Sequence, residues 1–185
     1  MGLPHTFVSF SSSDIKCYHM MCAWKAQEHI DFNFYDLQIE EALDSTNEQY
    51  IKRVCRAKLA LASTYILLVG PDTRLKTTYV KWEAEVAIEK KCRLIAVNLD
   101  NWRVQNPYTC PSVLAKAGAV FVPFSPHIVR WALEKWTRQD PQHFDAYYFE
   151  DGVYTQLGYT IDGYIAKRPA KLNPFALGNQ PPWAT

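Results

Sequence analysis

At 185 residues the chain suits one domain with a sizeable core, and 48% apolar against 21% charged residues is an ordinary globular balance. A formal net charge of +1 gives no surplus for neutralising a phosphate backbone, so nucleic acid is not an expected partner. Five cysteines, at 17, 22, 55, 92 and 110, form no C-x-x-C pair; reduced thiols, no disulfide framework and no metal site are expected.

In chain order, His5–Phe10 is short, β-branched and aromatic, and reads as a strand ending in the serine run Ser11–Ser13. Asp14 opens a helical stretch to about His29, with Ile15, Tyr18, Met21 and Cys22 on one face. Asp31–Tyr35 alternates as a strand should and Asp36 closes it. Ser45 with Glu48 forms a capping box, and the helix it starts carries Ile51, Val54, Ala57 and Leu61 at helical spacing.

Thr64–Val69 (TYILLV) is a continuous apolar run stopped by Gly70-Pro71-Asp72, the pattern of a parallel strand covered on both faces. Thr77–Lys91 reads as a third helix, Arg93–Leu99 as another buried strand, Ala119–Val122 as a fifth, and Ile128–Thr137 as a fourth helix. This alternation predicts a flavodoxin-like α/β domain: a five-stranded parallel sheet with helices on both faces and its ligand site at the strands' carboxyl ends. The domain is expected over 1–139. A C-terminal extension, 140–185, is expected to pack on it as a hairpin turning at Asp151-Gly152 and an extended tail.

The first strand–loop–helix unit has serines where a dinucleotide-binding fold places G-x-G-x-x-G, and no Walker A sequence occurs. With no apolar run of membrane-spanning length and no signal-peptide pattern, a soluble, cytoplasmic protein without a membrane partner is expected. The third helix holds the most informative pair. Tyr79 and Glu83 are four apart and share a face at the edge of the stripe Val80, Ala84, Ala87 and Ile88. On spacing alone, that pair reads sooner as a boundary glutamate beside a half-buried packing ring, because any helix in such a fold offers similar pairs.

The opening Phe7-Val8-Ser9-Phe10-Ser11 with Ser12, Ser13 and Asp14, then Leu67-Leu68-Val69-Gly70, Tyr79-Val80-Lys81-Trp82-Glu83 and Arg93-Leu94-Ile95-Ala96-Val97, together resemble TIR domains. They are most similar to the TIR-like proteins of bacterial Thoeris anti-phage defence. The resemblance spans roughly residues 5 to 135. It implies cleavage of the nicotinamide–ribose bond of NAD⁺, a substrate and not a bound cofactor, by a glycohydrolase or cyclase whose product is a cyclic or otherwise modified ADP-ribose messenger.

The resemblance places the catalytic carboxylate at Glu83 and the family's usual tryptophan at Tyr79, a smaller ring. Phe10, Ser11 and Ser12 fall beside the nicotinamide-bearing ribose, with Phe10 and Tyr79 expected to sandwich flat groups. Asp36 opens the loop that gates the pocket. The implied partners are further copies of the chain, meeting through Leu37–Asp44 and an outward Trp82, and a downstream effector reached by the diffusible product. Two other readings stand beside this one: a non-catalytic TIR interaction module, and a nucleoside deoxyribosyltransferase-like enzyme.

Overall fold

The computed structural model describes residues 5–27, 34–36, 48–76, 78–137 and 146–159. Among the described residues six strands form one sheet, parallel throughout: β1 (His5–Ser9), β2 (Tyr35–Asp36), β3 (Thr64–Val69), β4 (Arg93–Asn98), β5 (Ala119–Pro123) and β6 (Ala146–Tyr148), in the order β2-β1-β3-β4-β5-β6. The helices are α1 (Ile15–Trp24), α2 (Glu48–Leu59), α3 (Tyr79–Glu89), α4 (Pro126–Lys135) and α5 (Asp151–Gln156). The five expected parallel strands and their covering helices are present, joined at one edge by β6.

Period-2 alternation sorts the strands between two layers. Val8, Ile66, Leu68, Ile95, Val97, Val120 and Val122 point into the layer holding Met21 and Trp24 of α1 and Ile128, Ala132 and Leu133 of α4. Phe7, Tyr65, Leu67, Val69, Leu94, Ala96 and Phe121 point to the opposite layer with Leu59 of α2 and Val80, Ala84 and Ala87 of α3. Both faces of β3 are therefore dry, which is why its six residues are apolar or β-branched with no alternation to water.

Two expected helix faces are met only in part in the structure. In α2, among the residues whose side chains are described, Cys55 and Leu59 are buried, while Ala57 and Leu61 are exposed; Ile51 is not among them. In α1 they are Met21 and Trp24, and Ile15 is exposed. Where several faces carry mixed residues, packing against the sheet chooses between them. Ser45 of the expected capping box lies outside the described residues, as does most of the expected Asp31–Tyr35 strand.

The expected hairpin is absent. Asp151-Gly152 lies in the first turn of α5, and β6 runs parallel to β5. A buried guanidinium explains the override. Arg103 Nη2 meets Asp151 Oδ1 at 2.5 Å and donates to the Phe149 carbonyl at 3.2 Å, and its guanidinium lies 3.9 Å from the centre of the Tyr154 ring. Val153 and Tyr154 then bury in the α1/α4 layer. No helix among the described residues is long and apolar enough to cross a membrane.

Candidate functional site

With β1 flanked by β2 on one side and β3 on the other, the chain leaves β1 for one edge and β3 for the other. Their carboxyl ends form the crevice where this topology binds ligands. Two carboxylates converge on it.

The first is Glu83. Val80, Ala84 and Ala87 seat α3 on the sheet, and the two alanines let the helix approach closely, which brings Glu83 over the end of β1. Ser9, the last residue of β1, shares the face of Phe7 and donates its hydroxyl to Glu83 Oε2 at 2.6 Å. Glu83 keeps part of its surface at the boundary, but desolvation dominates the carboxyl and pushes its pKa up to about 7, against the lowering effect of Ser9. The group thus changes charge near neutrality, the poise expected of a catalytic carboxyl.

The second is Asp14, buried at the start of α1. Its backbone N–H donates to the Ser11 carbonyl at 2.7 Å, and its Oδ2 accepts from the Thr73 hydroxyl at 3.4 Å. Thr73 in turn accepts from the Gly70 N–H at 2.8 Å. A Cβ on Gly70 would land on the Asp14 carboxylate, which would have to move aside. Burial, reinforced by the nearby Asp72 charge, raises the Asp14 pKa, with Thr73 and Lys76 opposing.

The sequence-predicted residues divide accordingly. Ser11 is buried and its hydroxyl bonds that of Ser13 at 2.8 Å; Ser13 donates to Asp72 Oδ1 at 2.9 Å, and Asp72 pairs with Lys76 at 3.1 Å. The serine run therefore stitches the β1 loop to the β3 loop, with Ser12 exposed. Phe10 turns to the opposite layer and stacks on Tyr18 of α1, with ring centres 4.7 Å apart. Tyr79 stands one turn before Glu83, 44% exposed, with its ring edge-on to Trp82 at 5.8 Å.

The expected Phe10–Tyr79 sandwich is not assembled, because the two rings belong to different layers. Trp82, expected to point outward, is only part-exposed. Asp36 ends β2 in register with Thr6 of β1, and the segment Leu37–Asp44 lies outside the described residues. Ser9 is the residue sequence reasoning passed over. The alternation Phe7–Ser9 was the available signal, since it puts the hydroxyl on the α3 side.

A six-strand parallel sheet with its carboxylate on the helix after β3 suits several α/β families, so the family rests on sequence. The family model described as Thoeris protein ThsB, TIR-like domain, matches residues 7–103, just over half of the chain. The chain belongs to this family. It is a defence-related TIR module, and the matched segment runs from β1 through β4 and so includes Ser9, Asp14, Gly70 and Glu83. Among curated proteins none matches the chain.

Proposed function

We propose that this TIR-like chain consumes NAD⁺, breaking the bond between nicotinamide and the ribose carbon C1′ with Glu83 as the catalytic residue. The observation that carries the reading is the desolvated Glu83 carboxylate at the β1/β3 crevice, held by one hydroxyl and poised near neutrality. The electron pair of the C–N bond leaves with nicotinamide, whose positive charge is thereby neutralised, so no acid need protonate it. Positive charge develops on the ribose ring, as in glycoside hydrolysis. An ionised Glu83 stabilises that charge and orients the ribose hydroxyls. A cationic substrate itself favours the ionised form.

Water adding to C1′ and losing a proton gives linear ADP-ribose; attack by an atom of the same ADP-ribose gives a cyclic messenger for a downstream effector. Tyr79, exposed beside Glu83, offers a ring to a flat group. Phe10, Ser11, Ser12 and Asp36 mark the rim at the ends of β1 and β2. Self-association through Leu37–Asp44 and Trp82 completes the proposal.

Incubating purified protein with NAD⁺ and measuring free nicotinamide tests the reading, with Glu83→Gln as control. Nicotinamide release by wild type, lost in Glu83→Gln, is the expected result. Equal release by both proteins overturns it.

A further inference from the structure

Beneath Glu83 lie two hydroxyl groups to which the proposed reaction gives no part. Ser9 is 1% exposed and Tyr65 is fully buried. The Tyr65 ring stacks parallel to Phe7, with centres 6.2 Å apart and an interplanar angle of 7°, so its direction is set by the β1–β3 pairing. Among the described residues its hydroxyl meets no partner at ordinary hydrogen-bond distance, yet it lies close enough to Ser9 and Glu83 for both to act on its ionisation. A buried hydroxyl left unpaired is costly, and a phenylalanine would fill the same space without that cost.

Ser9 has one hydrogen, and it is spent on Glu83 Oε2. The lone pairs of the Ser9 oxygen remain available as acceptors. A Tyr65 proton donated there makes a chain in which every donor points toward the carboxylate.

We propose that Ser9, backed by Tyr65, is a positioning pair that orients Glu83 and favours its charged form; this rests on Glu83 being the catalytic carboxylate. The other titratable and charged groups gathered around this corner are Cys55 and Lys58 of α2 and Cys92 beyond α3. The Cys55 thiol is pushed up to about 12 by burial and then by Glu83, so it stays neutral through the relevant range. Cys92 donates its thiol to the Ala62 carbonyl at 3.6 Å. Among the described residues Glu83 accepts from Ser9, and Tyr65 is the buried hydroxyl next behind it.

The test reads Glu83 itself in the full chain. Carbon NMR of ¹³C-labelled glutamate follows the side-chain carboxyl titration, with Glu83→Gln assigning the signal; nicotinamide release across pH is measured in parallel. Ser9→Ala should move the Glu83 titration to more alkaline pH by roughly one to two pH units, the equivalent of a hydrogen bond to a charged group. The acidic limb of the activity profile should move with it. Ser9→Thr, which keeps the hydroxyl, should restore both. Tyr65→Phe should shift both the same way by less.

A Glu83 titration unmoved in both Ser9→Ala and Tyr65→Phe, whatever happens to the melting temperature, overturns the inference and makes the pair packing residues. Wild type that releases no nicotinamide overturns the proposed function instead, and the carboxyl titration still decides this inference.

Discussion

Glu83 and Asp14 are both carboxylates drawn out of water at the end of β1, and both are displaced toward the neutral form by burial. Their surroundings differ. Asp14 is wedged against Gly70 and Thr73, in a set of contacts that ties α1 to the β3 loop. Glu83 is held by a single hydroxyl from below, at the boundary of the layer, with an exposed ring one turn away. A carboxylate surrounded by its own fold serves to lock loops together. One held on a single side retains bonding capacity for a ligand. That contrast, more than burial or charge, separates scaffold from site.

The largest effect that would sharpen this contrast is on turnover. Glu83→Gln keeps shape and the Ser9 contact but removes the charge, and nicotinamide release should fall by about 10²–10³-fold in a protein that stays folded. The same release measured in Asp14→Asn should stay within a few-fold per folded molecule. Equal losses in the two variants would erase the distinction.

A second effect belongs to Asp14's side. Gly70→Ala drives a methyl onto the Asp14 carboxylate and should cost about 1–3 kcal/mol in denaturant unfolding. Asp14→Ala in the same chain should recover part of that loss, because the two sites share one space. Strict additivity would show that the contact is not what restricts position 70.

The third is the pH dependence of stability. Since the folded Glu83 pKa lies above its unfolded value, the folded state holds the proton more tightly. Its favourable contribution is full below the unfolded pKa and is lost as pH rises through about 7. Glu83→Gln should therefore gain stability on wild type between about pH 5 and pH 8, with about 3 kcal/mol as the ceiling. Parallel stability curves for the two proteins would place the carboxyl in water.

The smallest effect lies away from both carboxylates. Lys91, just past α3, has φ 61° in the left-handed region, and the Cys92 N–H reaches back to the Ala87 carbonyl at 3.0 Å to close the helix. Lys91→Gly should raise stability by about 0.5–1 kcal/mol without altering turnover. A change in nicotinamide release would mean that the end of α3 is coupled to Glu83.

The strands were legible where the chain needs dry surfaces on both sides. Thr64–Val69 and Arg93–Asn98 announce themselves, because an unbroken apolar run between polar turns has few other places to go. The face of α3 was legible in Val80, Ala84 and Ala87, all buried, while Val86 joins them from outside the expected stripe. Glu83 as a site residue came from resemblance, and Ser9 from neither, although alternation along β1 held the clue.

What tertiary structure alone decided is each pairing across the chain. The Ser9–Glu83 contact joins residues 74 positions apart. Asp14 meets Gly70 and Thr73 only once β1 and β3 lie side by side. At Asp151-Gly152 the local preference for a turn lost outright. Arg103 pulled Asp151 and the Tyr154 ring toward the core, and a helix was the way to bury Val153 and Tyr154 together. Local sequence determines which segments can be dry and where the backbone can turn. Which polar groups share a buried corner depends on strand order, because only closure of the sheet removes the water that would otherwise separate them.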